Sequence, residues 1–196
     1  MDKEGVGAIV NITIHLIGTW NGSGACDGTG MHHGEAECFN DAYKLAADAV
    51  DASKSFAFTR CMFGRMGELC PASWTGKECA KDAYNATSFQ PAATACEAEA
   101  GYEAGALAKL ALGDDGGVSS WAASGIAADL AYSAKADPGG TIPPPEGGPA
   151  PAWIVVGDSF VSDRDSDDEA AWAAKVLAAV CDAYDGAEKP AGCPSL

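Results

Sequence analysis

Residues Gly30 to Asp41 read GMHHGEAECFND, and two histidines, two glutamates and a cysteine fall between His32 and Cys38. Imidazole, carboxylate and thiolate are the side chains that ligate metals, move protons and exchange disulfides. A zinc site would draw on Cys26, His32, His33 and Cys38. Adjacent histidines on a glycine-rich loop seldom both face one ion, however, and the spacing fits no common finger. A calcium loop is suggested by Asp163, Asp165 and Asp167 at alternate positions. Its sixth position is Asp168, where glycine is required, and its twelfth is Ala174, where glutamate is required. Acids so placed suit the start of a helix, whose dipole and free N–H groups favour negative charge. The reading is therefore of no metal and no cofactor. No Ser-His-Asp arrangement stands out, and the glycine-rich runs lack the Lys-Ser/Thr of a phosphate loop.

What the cysteines do decides how the opening stretch is read. There are eight: Cys26, Cys38, Cys61, Cys70, Cys79, Cys96, Cys181 and Cys193. None forms a Cys-x-x-C pair, which removes the usual zinc-ribbon and dithiol signatures. An even number in a modest chain reads as disulfides formed in an oxidising compartment. Three N-glycosylation sequons, at Asn11, Asn21 and Asn85, agree with that. The first residues, MDKEGVGAIVNITIHLIG, are not a secretory signal, because polar residues interrupt the apolar run and no cleavage site follows. The expectation is a secreted protein whose natural start lies upstream of Met1. The net charge is −16, from 12 Lys and Arg against 28 Asp and Glu, which argues against nucleic acid as a partner. No apolar run is long enough to span a bilayer.

The elements that must position these residues follow from periodicity. Residues 8–17, AIVNITIHLI, alternate: Val10, Ile12, Ile14 and Leu16 share one face, with Asn11, Thr13 and His15 on the other. That predicts a half-buried strand, with His15 a solvated strand residue rather than a ligand. From about Glu37 the pattern turns helical, and Cys38, Ala42, Leu45 and Ala49 mark its stripe. Residues up to 136 read as shorter alanine-rich helices broken by Gly, Pro and Asn. Residues 137–152 hold six prolines and four glycines and read as an extended linker. WIVVG and SFV then read as two short strands either side of a turn at Gly157. Ser166 to Glu169 forms a capping box opening a helix over about 167–184, with Trp172, Val176, Val180 and Tyr184 on one face.

MHHGEAEC resembles the signature of the gamma-interferon-inducible lysosomal thiol reductase family, Cys-Gln-His-Gly-x-x-Glu-Cys. His33, Gly34, Glu37 and Cys38 match it; Met31 stands at the first cysteine and His32 at the glutamine. VNITI at 10–14, GKECA at 76–80, the proline-rich IPPPE with Pro151, and VCDAYDGAEKPAGCPS at 180–195 follow in the family's order. The likeness is loose around 100–150. It implies an α/β, thioredoxin-like fold, partial because its first strand and Cys-x-x-C helix are absent, with a large helical insertion. Residues 1–196 would form one domain: a strand at 8–17, the insertion at 37–136, the linker at 137–152, strand-strand-helix at 153–184, and a tail at 185–196. Pro151 would be the cis-proline that faces a dithiol.

The implied function is a thiol–disulfide oxidoreductase that reduces disulfide-containing protein substrates. The dithiol itself is missing, so these residues alone are expected to be inactive. The alternative is a non-catalytic, secreted, disulfide-stapled glycoprotein domain that binds a partner. The family's further cysteine, eight residues past the signature, is Ala46 here. Pairings Cys26–Cys38, Cys79–Cys96 and Cys181–Cys193 are preferred, leaving Cys61–Cys70, out of roughly 105 connectivities. The opening stretch is then a structural loop and helix start, with Cys38 as a staple.

Overall fold

The computed structural model describes residues 5–10, 12–16, 35–69, 86–133, 154–157, 159–162 and 169–193. The chain divides into two compact units, Ile14–Pro138 and the pair of segments Met1–Thr13 and Gly139–Leu196.

The first of these is helical. Helix α1 runs Glu35–Leu69, α2 Ala86–Ala100, α3 Ala108–Ala111 and α4 Ser120–Ser133. Cys38, Phe39, Ala42, Tyr43, Ala46 and Ala47 are buried along the front of α1. The expected stripe through Leu45 and Ala49 is therefore rotated: Leu45 is half-buried and Ala49 exposed. Aromatic rings remove the most apolar area from water, so Phe39 and Tyr43 set the inward face. Around them the rings form one chain of contacts. Tyr43 lies 5.2 Å from Phe89 and 6.4 Å from Phe58, Phe39 lies 6.0 Å from Phe89, and Tyr102 meets Phe58 edge-on at 6.2 Å. Leu107, Ile126 and Leu130 complete this core.

Helix α1 is interrupted at Asp51, whose backbone is extended (φ −162°, ψ 95°). The cause is local. The Asp51 carboxylate accepts the backbone N–H of Ser53 at 3.1 Å and its hydroxyl at 2.6 Å, which is N-cap geometry for the second stretch of helix. The break frees carbonyls at the end of the first stretch. The Tyr102 hydroxyl fills that need, 3.0 Å from the Ala47 carbonyl and 2.8 Å from that of Asp51. Ser119 caps α4 in the same manner, accepting the Ala122 N–H at 3.1 Å.

In the other unit, β1 (Ile154–Val156) and β2 (Ser159–Ser162) form an antiparallel hairpin, and α5 spans Glu169–Ala183. Val155 faces Phe160 and Val156 faces Ser159 across a turn in which Gly157 takes a φ of +59°. That is a conformation glycine reaches without strain. Residues 6–9 form one 3-10 turn entered through Gly5 at φ +76°, where a Cβ would meet that of Pro190 at 3.1 Å. Val6 is fully buried.

The α/β thioredoxin-like expectation is corrected by this arrangement. The described residues are dominated by helix, and the strands among them pair only with each other. The described residues of 8–17 do not form the expected strand: 6–9 make a 3-10 turn, and 12–16 belong to no helix or strand. Alternation reports an extended chain with one wet face, and Thr13 and His15 are indeed exposed while Leu16 is buried. A strand also needs a neighbour for its backbone, and here the Leu16 N–H goes instead to the Asp129 carboxylate at 2.8 Å.

Candidate functional site

The bridge between Cys61 and Cys96 joins the second stretch of α1 to α2, with Cα atoms 5.6 Å apart. Cys96 is fully buried and Cys61 nearly so. Beside it opens a cleft of about 300 Å³ lined by Arg60, Cys61, Gly64, Arg65 and Glu99. Glu99 Oε2 lies 3.4 Å from Cys61 Sγ. An oxidised sulfur has no proton to donate, so this is a contact of a carboxylate with a disulfide. It works against reduction. An attacking thiolate would meet the Glu99 charge, and the leaving Cys96 thiolate would be stranded in an apolar core. The bridge is built to persist.

A second cluster gathers where residues 15–16 meet α4, with Lys44 of α1 beside them. One Asp129 oxygen lies 2.6 Å from His15 Nδ1, and the other accepts the Leu16 N–H. Lys44, nearly buried, pairs with Asp48 at 2.9 Å and approaches Asp129 at 3.9 Å. The His15 ring packs on Tyr132 with centroids 4.4 Å apart. A carboxylate on Nδ1 fixes the imidazole's orientation and leaves Nε2 as the outward nitrogen. The cluster therefore anchors residues 15–16 to α4. The sequence gives no sign of it, since His15 and Asp129 stand far apart in the chain and each reads as an ordinary surface residue.

A third polar group is fully internal. Glu97, 1% exposed, accepts the backbone N–H groups of Gly105 at 2.5 Å and Leu107 at 3.0 Å. Burial first, and the Glu97 charge second, push the Tyr43 hydroxyl up to about 12. Tyr102 is likewise pushed up to about 12, by burial and then by Asp51 and Asp48. The Asp51 carboxyl is held below its usual range by the Ser53 hydroxyl and then Lys54.

Of the residues singled out from sequence, Glu37 lies in the first turn of α1. Cys38, one residue on, is buried and disulfide-bonded. Cys181 and Cys193 are joined, as preferred, with Cα atoms 5.7 Å apart. The Cys61–Cys96 bridge overturns two other preferences, Cys79–Cys96 and Cys61–Cys70. Helix packing decided it: the α1–α2 contact puts Cys61 and Cys96 side by side, and linear spacing does not carry that. His33, Gly34, Pro151, Cys26, Cys70, Cys79, Asn11, Asn21 and Asn85 lie outside the described residues. So do His32 and the acids at 163–168. Among the described residues no group of His, Cys, Asp and Glu is gathered to hold a metal ion, and no helix is long and apolar enough to cross a membrane. Comparison with protein-family models, curated proteins and solved structures gave no match.

Proposed function

We propose that this chain takes part in thiol–disulfide exchange of the lysosomal thiol reductase type as its disulfide-braced body, not as the reagent. One observation carries this: all five described cysteines, Cys38, Cys61, Cys96, Cys181 and Cys193, are already in disulfides. None is a thiol poised to attack. The reading takes its chemistry from the ordered motifs around His33, Gly34, Glu37 and Cys38, and does not depend on a thioredoxin-like sheet. Exchange itself requires a Cys-x-x-C that these 196 residues do not contain. Its first thiolate would attack a substrate disulfide, releasing one substrate thiolate and leaving a mixed disulfide. Its second would resolve that bond, releasing the other substrate thiol and closing the pair, which an external thiol then reduces. The substrates would be disulfide-containing proteins. Stable disulfides suit an oxidising compartment, and a secretory, lysosomal or vacuolar route would add glycans at Asn11, Asn21 and Asn85.

The test is insulin reduction with dithiothreitol as electron source. The 196-residue chain should give the uncatalysed rate. The same chain extended by the coding sequence immediately upstream should accelerate it. Acceleration by the unextended chain, or none by the extended one, overturns the reading.

A further inference from the structure

The Cys181–Cys193 bridge reaches further than the end of α5. Cys193 donates its backbone N–H to the Pro190 carbonyl at 2.9 Å, so the bridged residue and Pro190 belong to one tight turn. Pro190 lies against the N-terminal segment of the same unit: a Cβ on Gly5 would meet the Pro190 Cβ at 3.1 Å, and Gly5 takes a φ of +76°. Glycine permits both that conformation and that approach. The next residue, Val6, is fully buried and begins the 3-10 turn. Only the turn at 190–193 separates the bridge from the contact at Gly5.

The two bridges differ in how a thiol would meet them. Cys61 and Cys96 are both buried, and Glu99 Oε2 stands 3.4 Å from Cys61 Sγ. Cys181 is buried but Cys193 only half-buried, so this bridge offers the more open end. Exchange depends on access to the sulfur that is attacked. The bridges differ again once open. Helices α1 and α2 share an aromatic core that keeps Cys61 beside Cys96, so that pair recloses. Cys193 rides on a tail whose residues are exposed or half-buried, and it departs.

We propose that Cys181–Cys193 is a redox-sensitive latch, opened by a small external thiol ahead of Cys61–Cys96, and that its opening also releases the turn at residues 6–9. A thiolate attacks Cys193 Sγ, the bond between Cys181 and Cys193 breaks, and Cys181 leaves as a thiolate that takes up a proton. A second thiol attacks the mixed disulfide, freeing Cys193 as a thiol and joining the two reagent molecules in a disulfide. The latch is independent of the reductase reading above, and the outcome of insulin reduction does not bear on it.

The test titrates the intact chain with glutathione under native conditions, blocks the freed thiols with iodoacetamide and maps the labelled cysteines by mass spectrometry. Cys181 and Cys193 should be labelled at a glutathione concentration roughly tenfold below the one that labels Cys61 and Cys96. Hydrogen exchange on that selectively reduced chain should show residues 6–9 losing protection together with 184–193. Coupling is reciprocal, so Gly5→Ala, which drives a side chain onto Pro190, should lower the glutathione concentration that opens the bridge. Labelling of Cys61 and Cys96 first, or at the same concentration, overturns the proposal. So does unchanged protection of residues 6–9 after the bridge opens, or a Gly5→Ala chain whose bridge opens no more readily than the parent's.

Discussion

The two units hold their disulfides in opposite settings. Cys61–Cys96 sits within the ring-lined core of α1 and α2, closing a separation of 35 residues. Cys181–Cys193 closes 12 residues and ties the end of α5 to a tail whose residues 184–193 are exposed or half-buried. The first bridge adds to a core that already has aromatic, aliphatic and buried-carboxylate support. The second stands where such a core is thin: among the described residues of α5 and the tail, only Cys181 is buried. A crosslink stabilises mainly by restricting the unfolded chain, so its effect grows with the loop it closes; what it means for folding depends on what else is there.

The largest effect should come from the longer loop. Replacing both Cys61 and Cys96 by Ala should lower stability by about 4 kcal/mol in urea unfolding, and replacing Cys181 and Cys193 by about 3 kcal/mol. The helical unit should keep its structure after the first change. The tail beyond α5 should lose hydrogen-exchange protection altogether after the second. If the tail stays protected without its bridge, the contrast between the units fails.

Glu97→Ala should come next, at about 3 kcal/mol, because it strands one buried and one part-buried N–H group, and Glu97→Gln should recover part of it. Asp129→Asn should cost about 1–2 kcal/mol and expose the Leu16 amide to exchange, leaving the α1–α2 core protected.

Alkaline pH discriminates the units without mutation. Tyr43 and Tyr102 ionise near 12 when folded, against about 10 when unfolded. Between those values the unfolded chain has released protons that the native chain keeps. Stability is therefore fully present below pH 10 and falls as pH rises toward 12. Absorbance of tyrosinate should lag in the native protein, and the helical unit should be the one that loosens. The smallest effect belongs to Gly125→Ala in α4. The new Cβ would meet the Leu45 Cδ1 at 3.0 Å, the movable end of a side chain, while removing a mid-helix glycine gains roughly 1 kcal/mol. The change should stay within about 1 kcal/mol of neutral.

Much of the local structure was legible. The hairpin followed from two β-rich runs around Gly157, and α5 starts and ends within two residues of the span that the capping box and its apolar face indicate. The alternation over 12–16 was also real, in exposure. What it did not carry was a partner, because pairing is set by tertiary neighbours and not by the segment. The same limit explains the disulfides. Cys181 and Cys193 are close in the chain, so spacing suffices; Cys61 and Cys96 are joined by the way two helices pack. The polar contacts of His15 with Asp129, and of Glu97 with the amides of Gly105 and Leu107 in the next loop, have no sequence motif to announce them. The arginine cleft was hidden for a related reason, since Glu99 reaches it from another helix.

The break at Asp51 has one more consequence. In an unbroken helix a single inserted residue turns everything beyond it by roughly 100°. An interruption with its own cap absorbs such a change at the joint. The stretch beyond Asp51 can thus be re-phased, lengthened or re-surfaced by evolution while Phe39 and Tyr43 keep their places, which lets the outward face diversify on a fixed interior.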